Sequence, residues 1–240
     1  MTDEKQAGNS WQELVRSTWQ ARAAEWDQMA EAHALSEDRT ADIARLAVAL
    51  DLHHGSTVLD AGCGTGQLAI AFATLGCRVT AQDLAPAMID RAQMHARDRG
   101  VDITFRIGDI TDLPDERNTY DAVHARVVLQ FVRNPVTALQ QFRRVLKPGG
   151  RLFASVPGAL SPIYNRSWRR FTDPSDTGNT FMVPWELETL LQQGGWTVLE
   201  QWGESGRTMH GEKNNIVGTE ALKDIRLQQA AATTWGFVAQ

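Results

Sequence analysis

The alternation of strand-like and helix-like segments is the feature that most restricts the fold of this chain. Between Ser56 and Pro157, short apolar runs alternate with segments bounded by Gly and Pro, as at helix ends. The predicted strands are 56–61, 77–83, 101–109, 120–126 and 151–157, and the predicted helices are 66–75, 86–99 and 135–146. Because crossovers between parallel strands are long and right-handed, this order predicts an α/β fold with helices on both faces of a mostly parallel sheet.

The flanking segments extend this unit into a single domain. Two helices are predicted at 11–33 and 40–52, after about nine polar residues that we expect to be disordered. Beyond the fifth strand, the sequence predicts a helix from Pro184, a sixth strand, a helix over 218–231 and a last, antiparallel strand at 233–240. We therefore divide the domain into an N-terminal helical cap (1–55), a core (56–157) and a C-terminal part (158–240). The C-terminal part contains a lid-like insertion at 159–183.

Composition and charge exclude several classes of protein. The net charge of −5 lacks the basic excess of proteins that bind nucleic acid. The two cysteines, Cys63 and Cys77, form neither a disulfide framework nor a metal set, so we expect no metal and interpret both as small apolar fillers. No secretory signal and no apolar run of membrane-spanning length is present. The expectation is a cytoplasmic protein, monomer or homodimer, with no nucleic acid or membrane partner.

A glycine-rich turn follows the first predicted strand. The sequence VLDAGCGTG supplies an acid and then three alternating glycines, Asp60, Gly62, Gly64 and Gly66. Glycines let the backbone turn sharply and approach a ligand with no Cβ in the way. Asp83 ends the second strand and Asp109 follows the third, and ligands of open parallel sheets bind beyond these carboxyl ends. The strand ends therefore suit a nucleotide-like ligand. The glycine turn would hold the part beyond its ribose, Asp83 would accept hydrogen bonds from the ribose hydroxyls, and Asp109 would face the exocyclic amine of its adenine.

The negative charge of Asp60 restricts which nucleotide can bind at the glycine-rich turn. The pyrophosphate of a nicotinamide dinucleotide binds a bare helix N-terminus and is disfavoured by a nearby carboxylate. The G-x-G-x-G spacing also differs from the G-x-G-x-x-G of nicotinamide binders. Asp60 instead suits a ligand that carries positive charge. An Asp60 that only caps the turn would be compatible with either ligand.

Five segments in order resemble the class I S-adenosylmethionine-dependent methyltransferases, in the small-molecule branch. The segments are VLDAGCGTG, TAQDLAPAMIDRA, GDITDLP, YDAVHARVVLQFVRNP and LKPGGRLFASVP, between Val58 and Pro157. The N-terminal TWQARAAEWDQM is similar to a short aromatic signature that precedes many small-molecule members. The resemblance implies a Rossmann-like three-layer sandwich with a seven-stranded, mostly parallel sheet and a last antiparallel strand.

The resemblance also implies positions around S-adenosylmethionine and its product S-adenosylhomocysteine. Asp60, Gly62 and Gly64 would line the methionine part, and Asp83 would hold the ribose. The adenine would meet Leu84, Met88, Asp109 and Ile110, the sulfonium Ala125 and Arg126, and the ligand carboxylate Trp19, Arg22 and Trp26. The turn and strand-end residues Ala61, Cys63, Gly66 and Gly108 complete the expected cofactor site.

The catalytic group and the acceptor are less constrained. Methyl transfer works mainly by holding the nucleophile in line with the methyl carbon, and a general base is needed only for a protonated, weak nucleophile. Three residues are candidates for that base, His124, Tyr164 and His210. Gln130 stands where many small-molecule members have a histidine, which weakens an acid–base role there.

Aromatic residues of the insertion suit a small aromatic or lipophilic acceptor, or simply pack the insertion on the sheet. They are Trp168, Phe171, Phe181, Met182 and Trp185. The (N/D)-P-P-(F/Y) element of nucleic-acid amino-methyltransferases is absent after the fourth strand. The sequence therefore predicts a small-molecule methyltransferase. An NAD-dependent oxidoreductase and a non-catalytic S-adenosylmethionine-binding protein are the alternatives.

Overall fold

The protein folds around one seven-stranded sheet. A computed structural model describes residues 2–34, 37–172, 178–204 and 224–240. The strands are β1 Thr57–Ala61, β2 Arg78–Asp83, β3 Thr104–Ile107, β4 Tyr120–Arg126, β5 Leu146–Pro157, β6 Val198–Glu204 and β7 Thr234–Ala239. Their order is β3-β2-β1-β4-β5-β7-β6, and β7 runs antiparallel to both of its neighbours. The predicted α/β class and the antiparallel last strand are confirmed.

Helices cover both faces of the sheet. They are α1 Thr2–Ala34, α2 Glu37–Ala49, α3 Gln67–Thr74, α4 Pro86–Asp98, α5 Pro135–Val145, α6 Arg169–Thr172, α7 Pro184–Gln193 and α8 Ile225–Ala231. Adjacent strand residues serve opposite faces, so Val58 packs with α2 and α3 while Leu59 packs with α5 and α7. The strand order reverses between β1 and β4, which is where open α/β sheets bind their ligands.

Several predicted boundaries are corrected. Helix α1 begins at Thr2, although about nine residues were expected to be disordered, because a helix nucleated further along extends backwards at little cost. Helix α2 ends at Ala49 instead of Leu52, since Asp51 adopts a positive φ of 55° and Leu52 N–H closes onto the Ala47 carbonyl at 2.8 Å. The predicted helix at 218–231 is described only from its C-terminal part, because residues 205–223 lie outside the described ranges.

Strand β5 also starts earlier than predicted. The segment KPGG, expected to be a turn before the strand, belongs to β5 itself. The pairing with β4 shifts between Tyr120–Leu146 and Ala122–Arg151, so the extra residues are absorbed as an irregularity in the ladder. Strand β3 is shorter than predicted, as is common for a strand at the edge of a sheet.

The insertion is tied to the carboxyl edge of the sheet. A short 3₁₀ helix, Leu129–Phe131, follows β4 and is called the post-β4 turn below. Thr180 donates its backbone N–H to the carbonyl of Gln130 in this turn, at 2.7 Å. On the other side, Trp11 of α1 donates its indole N–H to the carbonyl of Phe131 at 2.9 Å. The post-β4 turn therefore joins the N-terminal cap to the insertion.

Candidate functional site

The glycine loop connects β1 to α3 at the point where the strand order reverses. Gly62 and Cys63 both donate backbone N–H groups to the Gln82 carbonyl, at 2.8 and 3.0 Å. Gly62 has a φ of 74°, and a Cβ there would lie 2.3 Å from Cγ2 of Val128, the residue before the post-β4 turn. The close approach and the left-handed backbone both require glycine.

The other two glycines bring helices close to the loop. Gly66 begins α3 with a φ of 83°, and a Cβ there would lie 2.8 Å from the Ala92 Cβ of α4. At Gly64 a Cβ would lie 3.3 Å from the Trp26 indole nitrogen of α1. The loop is thus held between α1, α4 and the post-β4 turn.

Asp83 lies at the end of β2, beside the loop. Its carboxylate accepts backbone N–H groups from Gly64 at 3.0 Å and from Ala85 at 2.9 Å. Burial raises the pKa of Asp83, these hydrogen bonds partly offset the rise, and the negative charge of Asp60 adds to it. Asp83 is therefore held in place, but among the described residues no Lys or Arg forms an ion pair with it.

Asp60 is the second carboxylate of the site and is almost completely buried. Its Oδ1 lies 2.8 Å from Nδ1 of His124, and its Oδ2 has no hydrogen-bond partner in the structure. Burial raises the pKa of the neighbouring Cys63 thiol well above its usual range, and the charges of Asp83 and Asp60 act in the same direction. Within the described ranges, neither carboxylate forms an ion pair with Lys or Arg.

Asp109 lies beyond β3 at the same edge. Its carboxylate accepts the backbone N–H of Thr111 at 2.8 Å and a hydrogen bond from the side-chain amide of Gln12 on α1. Ile110, which follows Asp109, and Met88 of α4 are buried, and Leu84 is half-buried. A Cβ on Gly108 would lie 3.0 Å from the side-chain amide nitrogen of Gln82. Sequence reasoning missed Gln12, because a contact across 97 residues leaves no local signal.

Helix α1 lies over the loop through its aromatic residues. Trp19 meets Trp26 edge to face at 5.3 Å and Phe131 of the post-β4 turn at 5.0 Å, and the Arg22 guanidinium stands 5.2 Å from the Trp19 ring. Asp27 anchors the helix to α4 through Arg91 at 2.7 Å and His95 at 2.8 Å. The three α1 residues expected at the cofactor therefore lie at the carboxyl edge of the sheet.

The remaining predicted cofactor positions lie at the carboxyl ends of β1 and β4. Ala61 at the end of β1 and Ala125 on β4 are buried, and Arg126 is half-buried. Val127, which follows Arg126, has a φ of 53° and donates its N–H to the Ser155 carbonyl at 3.0 Å. This strained residue turns the chain from β4 into the post-β4 turn.

The three candidates for a general base differ in their surroundings. His124 is 2% exposed and lies in the core, stacked on Phe153. Tyr164 donates its hydroxyl to the Met182 carbonyl, and burial followed by the charge of Glu186 raises its pKa far above the usual range. His210 lies outside the described residues.

The residues predicted to line the acceptor surface differ in burial. Met182 belongs to the main core, whereas Phe181 packs against Tyr164 with ring centres 5.9 Å apart. Trp168 and Phe171 are 57% and 76% exposed, and Trp185 is half-buried. Gln130 in the post-β4 turn is 1% exposed, and neither its amide nitrogen nor its amide oxygen has a hydrogen-bond partner.

The described residues contain neither a ready metal site nor a membrane-spanning helix. No cluster of three or more His, Cys, Asp or Glu side chains stands ready for a metal ion in those ranges. Within the same ranges, every helix is too short or too polar to cross a membrane.

The chain is similar to known proteins along most of its length. Residues 59–154 match the family model described as "Methyltransferase domain". The ubiquinone biosynthesis O-methyltransferase of Xanthomonas campestris pv. campestris is 40% identical over 173 residues, 64% of this chain and 70% of that protein. The protein of the same name from Xanthomonas axonopodis pv. citri is 39% identical over 149 residues, 59% of this chain, but only 62% of its own length is covered.

A solved structure supports the fold independently. A putative methyltransferase of Haloferax volcanii, solved in complex with the Trm112 methyltransferase activator, superposes with a TM-score of 0.65. It is 22% identical, and the match covers 92% of this chain and 96% of that one. The shared segments and the observed sheet agree with the family anticipated from the five motifs. The chain belongs to the class I S-adenosylmethionine-dependent methyltransferases.

Proposed function

We propose that this chain transfers a methyl group from S-adenosylmethionine to an oxygen, nitrogen or carbon atom of a small aromatic or lipophilic metabolite. The observation that carries the proposal is the pair of carboxylates at the glycine loop, Asp60 and Asp83, which lacks a Lys or Arg ion pair among the described residues. A cationic ligand fits such a site, and a pyrophosphate does not. The names of the Xanthomonas relatives favour oxygen as the methylated atom.

The residues present fit the cofactor. Asp83 would accept hydrogen bonds from the ribose hydroxyls, and Asp109 would face the adenine amine once the Gln12 amide gives way. The unpartnered Oδ2 of Asp60 would receive the ammonium group of the methionine part. Bound in this way, S-adenosylmethionine supplies an electrophilic methyl group on a positively charged sulfur.

The acceptor would lie near the post-β4 turn, between the cap and the insertion. The aromatic rings of Trp19, Phe131 and Phe181 provide apolar surface there, and the exposed Trp168 and Phe171 extend it along the insertion. The buried amide of Gln130 would offer two N–H donors and a carbonyl oxygen acceptor to a polar group of the substrate. This combination suits a hydroxylated aromatic metabolite.

The protein's contribution to the chemistry would be mainly orientation. Holding the nucleophile in line with the methyl carbon removes the entropic barrier of a bimolecular encounter. His124 and Tyr164 both engage other groups through hydrogen bonds, so the general base stays unassigned. We further propose that the enzyme needs no metal, acts in the cytoplasm as a monomer or homodimer, and has no nucleic-acid partner.

Calorimetric titration tests the cofactor assignment. S-adenosylhomocysteine should bind the purified chain, and NAD should not. Transfer of labelled methyl from S-adenosylmethionine to 3,4-dihydroxybenzoate, or to hydroxylated lipids of a cell extract, then tests catalysis. Tight binding of NAD in place of the adenosyl ligand contradicts the proposal, and binding without transfer to any metabolite leaves a non-catalytic binding protein.

A further inference from the structure

The most unusual feature of the core is a carboxylate–imidazole hydrogen bond buried beneath the glycine loop. Asp60 on β1 and His124 on β4 are register partners in adjacent parallel strands. Their side chains are 3% and 2% exposed, and Nδ1 of His124 lies 2.8 Å from Oδ1 of Asp60. An ionised carboxylate can only accept, so Nδ1 carries the hydrogen and donates it.

The histidine ring is fixed from two sides. It stacks on Phe153 with the ring planes 6° apart and the centres at 5.3 Å, and it meets Phe72 of α3 edge to face at 5.4 Å. These contacts leave the ring no freedom to turn its Nδ1 away from Asp60. The direction of the hydrogen bond is therefore set by the core.

Packing alone does not account for this histidine. Nε2 of His124 is buried without a hydrogen-bond partner, in a face otherwise made of apolar residues such as Val58 and Phe153. Burying an unsatisfied polar atom is unfavourable, and a leucine would pack there without that loss. The compensating interaction is the one with Asp60, whose second oxygen, Oδ2, is itself unpartnered.

We propose that His124 is a positioning residue that holds one oxygen of Asp60 so that the other faces the ammonium group of S-adenosylmethionine. The proposal rests on the proposed function. Asp60 lies on β1, two residues before Gly62 of the glycine loop, and its unpartnered Oδ2 places the carboxylate beside the ligand expected at the loop. His124 itself contacts neither the cofactor nor the acceptor.

Two variants of His124 separate this role from packing. His124→Asn keeps an N–H donor near the place of Nδ1, whereas His124→Leu removes the donor and keeps an apolar filling. Binding of two ligands is measured by calorimetry on the full chain. S-adenosylhomocysteine carries the ammonium group, and 5′-methylthioadenosine has the same nucleoside without it.

The expected pattern is specific to the ammonium. His124→Leu should weaken S-adenosylhomocysteine at least about tenfold and leave 5′-methylthioadenosine unchanged, while His124→Asn should stay within about threefold of the wild type for both. Asp60→Asn should show the same loss as His124→Leu, and the double variant should lose no more than either one, because both act through one contact.

Other results overturn the proposal. Wild-type binding of S-adenosylhomocysteine by His124→Leu, or an equal loss of both ligands, would make His124 a packing residue only. If the leucine variant does not fold, His124→Phe keeps the aromatic stack without a donor and gives the same comparison. A wild-type chain that binds neither ligand contradicts the proposed function itself, which is a separate outcome.

Discussion

The carboxylates at the amino and carboxyl ends of the sheet differ in their partners and in the direction of their pKa shifts. At the amino end of β4, Asp121 accepts hydrogen bonds from Thr57 N–H at 2.8 Å, from the Thr57 hydroxyl at 2.7 Å and from Lys147 at 2.8 Å. Burial alone would raise its pKa, but these partners hold the pKa of Asp121 down to about 2. At the carboxyl end, burial raises the pKa of Asp83, and Asp60 keeps one oxygen unpartnered.

A second carboxylate near the amino end follows the same rule as Asp121. Asp115 accepts hydrogen bonds from the Arg106 guanidinium and, at 2.7 Å, from the Tyr120 hydroxyl. Burial opposes ionisation, yet the bond from Arg106 lowers the pKa of Asp115 below its usual range. The acids near the amino end are thus paired with Arg106 and Lys147, whereas Asp60 and Asp83 at the carboxyl end have no Lys or Arg ion pair among the described residues. The first arrangement stabilises the fold, whereas the second lowers stability in return for binding.

The largest effect that tests this contrast is expected at the loop backbone. Gly62→Ala should lower the free energy of unfolding by about 2–5 kcal/mol, because it adds a left-handed alanine and a Cβ 2.3 Å from Val128 Cγ2. Gly100→Ala is the matched control, since Gly100 has a φ of 65° and nothing within 4 Å of its Cβ position. It should lose only about 1–2 kcal/mol. Urea unfolding measures both, and equal losses would show that the loop is not tightly packed.

Removing an acid from each end should separate binding from stability. Asp83→Ala should weaken S-adenosylhomocysteine by about 1.5–3 kcal/mol, the range for hydrogen bonds to a charged group. Asp121→Ala should leave that affinity unchanged and lower the melting temperature instead, because three hydrogen bonds are lost. Calorimetry and thermal unfolding of both variants give the comparison. An Asp83→Ala variant that binds like the wild type contradicts the ribose assignment.

The sequence indicates the sheet better than it indicates the contacts that complete the site. Strand β4 is predicted to the residue, at Tyr120–Arg126. The sequence does not predict the Asp60–His124 pair, although β1 and β4 are neighbours at the point where the strand order reverses. The sequence does not predict the contacts of Gln12 and Thr180, because each joins residues that lie far apart in the chain. Such contacts depend on tertiary packing and leave no periodic signal.

Two buried glutamines extend the contrast to neutral groups. Gln130 lies at the carboxyl end with no partner for its amide, whereas Gln229 donates to Gln201 at 3.1 Å and accepts from Arg226 at 2.9 Å. Gln130→Met should raise the free energy of unfolding by about 1 kcal/mol and raise KM for a hydroxylated acceptor. Gln229→Met should lower the free energy of unfolding by a similar amount and leave KM unchanged. Denaturation and steady-state kinetics measure the two effects, and a loss of stability in Gln130→Met would mean that its amide is already satisfied.

The smallest effect is a difference in pH dependence between Asp121 and Asp83. The folded pKa of Asp121 lies near 2, below its unfolded value, so its contribution is complete above about pH 4 and is lost as the pH falls towards 2. Since the side chain is 39% exposed, that contribution is discounted to about 1 kcal/mol.

Asp83 should titrate in the opposite sense. Its folded pKa is raised, so the ligand-free protein loses stability as the pH rises from the unfolded value through the folded one. Urea unfolding of the wild type and both alanine variants from about pH 3 to pH 7 should therefore give difference curves of opposite slope. Saturating S-adenosylhomocysteine should flatten the Asp83 curve, because hydrogen bonds from the ligand's ribose hydroxyls favour the ionised carboxylate. Curves of the same sign at both ends would mean that the carboxyl end holds its acids as firmly as the amino end does, and that a cation is already supplied there by the chain.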